Sequence, residues 1–108
     1  MSILKDFMDR DQYRRDINGN LMLIDLVKYL LSLDKENYNK AVNEIEGWLK
    51  SNDEKEYADA IYLIGELKLI QFKNILIEHR KQVGENKRKG IPAYYTQFID
   101  VALNSLSS

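Results

Sequence analysis

The chain has 108 residues and a formal net charge of −1, and 44% of its residues are hydrophobic. This composition is typical of a folded domain and excludes a disordered chain, while the nearly neutral charge argues against non-specific nucleic-acid binding. The absence of cysteine excludes a disulfide framework, thiolate metal sites and a cysteine nucleophile.

The sequence begins with two helical patterns of different character. A turn is expected between them, at Asn18-Gly19. Residues 21–33, which follow the turn, are apolar on most sides and therefore indicate a buried helix. The pattern before the turn is a short amphipathic stripe with Ser2 as its expected N-cap, and it consists of Ile3, Leu4, Phe7 and Met8.

Residues 35–50 show the clearest helical periodicity in the chain. Asp34 is the expected N-cap of this helix. Polar residues occupy one face, so the pattern predicts an amphipathic helix with a single buried side. The expected core face consists of Tyr38, Ala41, Val42, Ile45, Trp48 and Leu49.

The most apolar helical pattern begins near residue 54 and ends near Lys68. Asp53 and Glu56, three residues apart, form the expected capping box at its start. A helix that is apolar nearly all round must be covered on more than one side, so we expect it to be the central element of the fold. The residues that break its apolar character are Asp59, Gly65 and Glu66.

Two more helices are predicted, over residues 70–83 and 92–106. A charged loop from Gly84 to Gly90 separates them, and Pro92 suits the first turn of the second. The expected core face of the last helix contains Tyr95, Phe98, Ile99, Ala102 and Leu106. No strand-like alternation extends over more than four residues. The sequence therefore predicts a single all-α domain over residues 1–108, with five or six antiparallel helices joined by short loops.

Residues 57–80 combine a helix, a short turn and a second helix, with aliphatic or small residues at Ala60, Ile61, Ile64, Gly65, Leu67, Leu76 and Ile77. This pattern resembles one HEAT-type helical-hairpin repeat, in which the first helix ends in a Leu-Gly-x-Leu-like turn. The sequence departs from the family at residues 68–70, where a Gly-Asp-Pro-like step is usual. The resemblance implies a stack of helical hairpins, and a compact irregular bundle is the alternative.

Candidates for catalysis are few. His79 is the only histidine, and its neighbour Glu78 points about 100° away on a helix, so the two cannot form a Glu-x-x-His ligand set. Asp25 is the only acid inside a strongly apolar run, and a catalytic role for it would require a surrounding pocket. No glycine motif for nucleotide binding is present. We therefore expect a protein that is not an enzyme and has no cofactor and no metal.

The segment from residue 80 to residue 95 combines bases with aromatic residues. Such a combination can hold phosphates and stack on nucleobases, which makes it the alternative, nucleic-acid-binding site. The other interpretation is a solvated loop with core-facing tyrosines. The residues concerned are Arg80, Lys81, Lys87, Arg88, Lys89, Tyr94 and Tyr95.

A protein-binding surface is the leading prediction. Residues 34–56 hold seven acids against four lysines, and the chain has seven tyrosines, a residue type favoured at interfaces. Tyr62 is expected on the one polar stripe of its helix, unless its ring is covered and only its hydroxyl reaches water. The predicted partner-binding residues are Glu44, Glu46, Asp53, Glu54, Glu56, Asp59, Tyr62 and Glu66.

In its size, its lack of catalytic motifs and its acidic helices, the chain is similar to the small all-α immunity proteins of bacterial toxin systems. This resemblance implies a protein that covers the active site of a basic toxin domain, such as a nuclease, after electrostatically steered association. The N-terminal residues lack the apolar core of a signal peptide, so a cytoplasmic location is expected. The alternative is a HEAT-like adaptor or a nucleic-acid-associated module.

Overall fold

The computed structural model describes residues 2–10 and 20–107. Within these ranges the secondary structure is helical and contains no strand, which confirms the all-α prediction. No helix in this part of the chain is both long enough and apolar enough to cross a membrane. The turn predicted at Asn18-Gly19 lies outside the described residues.

The helices follow the predicted order, with small shifts at their ends. Short 3₁₀ helices at Ile70–Phe72 and Ala93–Tyr95 form the first turns of the last two predicted helices, so their α-helical parts begin a few residues later than expected. The α-helices are α1 (Ile3–Met8), α2 (Asn20–Leu31), α3 (Lys35–Leu49), α4 (Glu54–Glu66), α5 (Lys73–Gly84) and α6 (Thr96–Ser107).

The Cα positions cluster into two compact units, residues 1–47 and residues 48–108, and the boundary falls near the end of α3. The single-domain organisation stays a prediction. In the first unit, the buried apolar side chains are Leu4, Phe7, Met22, Leu26, Leu30, Ala41 and Ile45.

The N-terminus of α1 is bound by a carboxylate from α3. Ser2 caps α1 as predicted, since its Oγ accepts a hydrogen bond from the Lys5 amide at 3.1 Å. The same hydroxyl donates to Glu44 Oε1 at 2.6 Å. The amides of Ile3 and Leu4 donate to the Glu44 carboxylate at 2.9 and 3.0 Å. The positive end of the helix dipole favours this negative charge.

In the second unit, α4 is covered on several sides, as its apolar character predicts. Tyr57, Ala60, Ile61, Leu63 and Ile64 are each at most 2% exposed. Burial of apolar surface stabilises a fold by about 25 cal/mol per Å², so these side chains contribute to the stability of this unit. The central position expected for this helix is therefore confirmed within its unit.

The direction of the three helices follows from their contacts. Tyr57 and Tyr95 stack with ring centroids 6.1 Å apart, and Gly65 packs on Ala102 further along both elements, so α4 and α6 run in the same direction. The Arg80–Asp100 ion pair shows that α5 packs beside α6. Helical bundles and stacked hairpin repeats share such packing, so the HEAT-like resemblance stays a prediction.

The predicted capping box at the start of α4 forms with one extra member. Asp53 accepts a hydrogen bond from the Glu56 amide at 3.0 Å, as expected. The Asp53 amide, however, donates to Ser51 Oγ at 3.0 Å, and the Ser51 hydroxyl donates to Glu56 Oε1 at 2.8 Å. The serine hydroxyl therefore links the two halves of the box.

Gly65 lies inside α4 and not in the turn after it. The left-handed residue of that turn is Lys68, with φ of 52°, and the Leu69 amide donates to the Ile64 carbonyl at 3.0 Å, which closes the helix. A Cβ at position 65 would lie 3.3 Å from Ala102 Cα. The glycine therefore permits the close approach of α4 and α6.

We predict that Gly65→Leu lowers the free energy of unfolding by about 1–3 kcal/mol, because leucine suits a helix but overpacks the contact with Ala102. The measurement is urea denaturation followed by circular dichroism. Gly47→Ala is the matched control. Nothing lies within 4 Å of a Cβ built at Gly47, so this change should stabilise by up to about 1 kcal/mol. Equal effects of the two changes would contradict this packing role.

Candidate functional site

Several of the predicted partner-binding acids bind groups of the chain itself. In the first unit, Glu44 holds the start of α1. In the second unit, Asp53 caps α4 and Glu56 accepts the Ser51 hydroxyl. Glu46 also has an interaction partner and belongs to the first unit. Glu44, Asp53 and Glu56 therefore contribute first to the fold.

The predicted polar stripe on α4 is wrong at Asp59. This side chain is buried, at 8% exposure, and Lys55 Nζ lies 3.3 Å from its Oδ2. Burial raises the pKa of Asp59, an effect that the Lys55 charge opposes. The Asp59 charge is also a minor cause of the raised pKa of Tyr95. Tyr62 is half-buried and Glu66 is exposed, so only these two remain accessible on the stripe.

Arg88, predicted as part of a solvated basic loop, is half-buried and holds the backbone. Its Nη2 donates to the carbonyls of Leu49 and Ser51 at 3.2 and 3.1 Å. A cation at these carbonyls satisfies acceptors that the end of α3 leaves unpaired. Gly90, with φ of 82°, brings the same loop against the backbone of Asn52, where a Cβ would lie 2.5 Å from the carbonyl oxygen.

The other predicted nucleic-acid-binding residues do not share one role. Arg80 binds Asp100 through two hydrogen bonds of 2.5 and 3.2 Å, and Lys87 pairs with Glu85 at 3.3 Å. Lys81 and Lys89 are exposed, Tyr94 is exposed and Tyr95 is buried. Three of the five bases therefore have intramolecular partners, Arg88 included.

His79 belongs to a cluster with Tyr57 and Arg88. The hydroxyl of Tyr57 and Nη1 of Arg88 each lie 3.2 Å from His79 Nδ1. The arginine can only donate, so Nδ1 is an acceptor and the imidazole is neutral. Burial and the Arg88 charge lower the pKa of His79, and burial raises the pKa of Tyr57 to about 12. Because the Nδ1 lone pair is occupied, this nitrogen is not poised to accept a substrate proton.

A cleft of about 380 Å³ lies in the first unit. Arg10 covers its aromatic wall, with Cζ 4.4 Å from the Phe7 ring centroid and 5.2 Å from that of Tyr29. Asp25, the one acid considered for catalysis, does not line this cleft. The lining residues are Ile3, Asp6, Phe7, Arg10, Tyr29, Asn37, Lys40 and Glu44.

The start of α6 carries an aromatic cluster in the second unit. Tyr94, Tyr95 and Phe98 meet edge to face, with ring centroids 5.1 Å apart for Tyr94–Tyr95 and for Tyr95–Phe98 and 6.4 Å apart for Tyr94–Phe98. Tyr95 is buried as predicted, but Phe98 is 49% exposed, so its placement on the core face is wrong. Ile99, Ala102 and Leu106, the other predicted core residues of α6, are buried as expected.

Glu54, the first residue of α4, joins this cluster. Its Oε1 accepts hydrogen bonds from the hydroxyls of Tyr94 and Tyr95 at 3.0 and 2.8 Å. The carboxylate raises the pKa of both hydroxyls: it is the main cause for Tyr94, while burial is the larger cause for Tyr95. Glu54 is thus the predicted partner-binding acid that the structure places beside exposed aromatic rings.

An exposed apolar stripe runs along α6 from this cluster. Tyr94, Phe98 and Val101 follow helical spacing and are 54%, 49% and 65% exposed. The sequence itself indicates an exposed apolar position here, because Val101 is apolar but lies outside the predicted core face of the last helix. The stripe and Glu54 together form the candidate site for a protein partner.

In residues 2–10 and 20–107, no group of three or more His, Cys, Asp or Glu side chains is arranged to hold a metal ion.

No family model matches the chain, and no significant match was found among the curated proteins or the solved structures. The argument for the stripe and Glu54 as a binding site therefore comes from their geometry and chemistry alone.

We predict that protonation of His79 destabilises the fold. The pKa of His79 is lowered in the folded protein, so the unfolded chain binds the proton more tightly. The contribution of neutral His79 to the free energy of unfolding is therefore fully present above the ordinary pKa of about 6.5 and is lost as the pH falls below it. The free energy of unfolding should therefore decrease as the pH falls from about 8 to about 5. Chemical denaturation at several pH values measures this decrease.

His79→Asn is the matched variant, because its amide oxygen accepts a hydrogen bond but does not titrate in this range. We expect the variant to show a smaller decrease over the same pH range. Asp59 has the opposite effect on the free energy of unfolding, because its pKa is raised in the folded protein and protonation favours the fold. This effect is the same in both proteins and does not alter the comparison. Identical pH profiles would contradict the proposed role of His79.

Proposed function

We propose that this chain is a non-catalytic protein-binding domain. The specific form that we favour is a cytoplasmic immunity protein, which binds a cognate bacterial toxin and covers its active site. The observation that supports this proposal is the exposed stripe of Tyr94, Phe98 and Val101 beside the carboxylate of Glu54.

The stripe has the composition of an interface centre. Aromatic residues are enriched in protein interfaces and often supply much of their binding energy. Tyr94 and Phe98 are also restrained by their contacts with the buried Tyr95, so little conformational entropy is lost when a partner covers them. Val101 extends the apolar surface by one helical turn.

The charge at this site favours a basic partner. Glu54 places a carboxylate at the edge of the stripe, and Glu66 is a further exposed acid on α4. A toxin that acts on nucleic acid needs basic residues around its active site to bind phosphates. Acidic groups opposite such residues speed association and disfavour other partners.

We predict that Val101→Asp weakens binding to the toxin by about tenfold or more, because it places a charge in the apolar stripe. The measurement is calorimetry with an inactive form of the toxin domain encoded beside this protein's gene. Ile77→Asp is the matched control, since Ile77 is 50% exposed but lies on α5. No binding by the unmodified protein would contradict the proposed function.

Charge reversal tests the acidic part of the proposal. Glu66→Lys should weaken binding and make it less sensitive to salt, because one attractive contact becomes repulsive. Asp59 is unsuitable for this test, since reversing a buried charge would unfold the domain. Unchanged affinity for Glu66→Lys would remove the C-terminal end of α4 from the proposed interface.

The nucleic-acid alternative predicts a different result. Salt-sensitive retention on immobilised RNA or DNA, lost in Lys81→Ala/Lys89→Ala, would favour that alternative. These exposed lysines are better targets than Arg88, whose removal would leave backbone carbonyls unpaired. We expect no such retention at physiological salt.

A further inference from the structure

We propose that Tyr94, Phe98 and Glu54 form a notch that binds an arginine side chain of the partner protein, with Tyr95 as its floor. This inference rests on the proposed function and names the chemical group that the surface accepts. We call these four residues the aromatic notch.

The rings of the aromatic notch are arranged to leave surface open to a cation. Tyr94 and Phe98 are inclined at 68° to each other, with centroids 6.4 Å apart, and about half of each side chain is exposed. Tyr95 is 6% exposed and inclined at 82° to Phe98. A cation near an exposed aromatic face is attracted by the negative charge of the π system.

The carboxylate of Glu54 supplies the second element of a cation site. Both of its hydrogen bonds, from Tyr94 and Tyr95, end on Oε1. A carboxylate has about four acceptor positions, so Oε2 retains the capacity to bind a donor. The hydroxyls fix the carboxylate at the edge of the tyrosine rings, and a cation over Tyr94 would lie near a negative charge.

Arginine fits these elements better than lysine does. Its planar guanidinium stacks on aromatic rings and donates parallel hydrogen bonds to a carboxylate. The ammonium group of lysine is compact and strongly hydrated, and it makes one point contact. An anionic partner would be repelled by Glu54, and a purely apolar one would leave the carboxylate without its second set of hydrogen bonds.

The two arginines of the second unit and Lys55, the residue after Glu54, have other partners. Arg88 binds the carbonyls of Leu49 and Ser51, Arg80 binds Asp100, and Lys55 binds Asp59. Over the ranges 2–10 and 20–107, the arginines that lie on aromatic rings are Arg10 and Arg88, and neither covers Tyr94 or Phe98. We therefore expect an arginine of the partner protein to occupy the aromatic notch.

The test uses the full chain and a blocked hexa-arginine peptide at low salt, with aromatic and amide chemical shifts measured by NMR. Hexa-lysine tests the preference for guanidinium, and hexa-citrulline tests the need for charge with the same planar shape. We expect shifts that centre on Tyr94 and Phe98, weaker binding of hexa-lysine and no binding of hexa-citrulline.

Two variants locate the binding site. Glu54→Gln removes the charge, and Phe98→Leu removes a ring but keeps an apolar side chain at an exposed position. Each should weaken hexa-arginine binding by about threefold to tenfold. Glu36→Gln, an exposed acid of α3, removes the same charge from the first unit and should have little effect. Thermal unfolding verifies each fold, and Tyr94→Ala replaces any variant that unfolds.

The outcomes separate this inference from the proposed function. Shifts spread over other acids, or equal effects of Glu54→Gln and Glu36→Gln, would overturn the aromatic notch. The toxin-binding assay would then still decide whether the chain binds a protein partner. Conversely, arginine binding at the notch without toxin binding would support the notch and contradict the immunity function.

Discussion

The guanidinium of Arg88 contacts four residues in separate segments of the second unit. Arg88 donates to the carbonyls of Leu49 and Ser51, contacts His79 on α5 and lies 5.1 Å from the Tyr57 ring centroid on α4. The loop after α5 is therefore bound to the end of α3 and to the segment that leads into α4. Removing the guanidinium would leave two partly buried carbonyl acceptors unpaired, and an unpaired acceptor of this kind costs more than the net strength of its hydrogen bond.

Local features of the fold were predictable from sequence, because they depend on neighbouring residues. The helices, the caps at Ser2, Asp34 and Asp53, and the central position of α4 in its unit follow from periodicity and capping chemistry. The side chains that lie between two helices were less predictable. Periodicity cannot tell which side of an apolar helix a neighbour covers, so it predicts an exposed Asp59 and a buried Phe98, and both predictions are wrong.

The candidate site shows the same division. Glu54 was expected among the partner-binding acids, and Tyr94 only in the nucleic-acid alternative, yet the structure joins them through a hydrogen bond. Their sequence separation of 40 residues explains why no local pattern pairs them. Phe98 completes the cluster because α6 packs on α4 through Ala102, an orientation that buries Ile99 and leaves Phe98 exposed. Tertiary packing, more than residue type, thus selects the accessible aromatic side chains.

The loop around Gly90 also limits how this sequence can change. At positions 87 and 89, the lysine side chains are exposed, and other polar residues can replace them at little cost to the fold. Positions 88 and 90 are more restricted. The carbonyls of Leu49 and Ser51 are paired with the guanidinium of Arg88, and the Asn52 carbonyl leaves no room for a side chain at Gly90. A stretch that has the composition of a uniform charged run therefore alternates between freely variable and fixed positions.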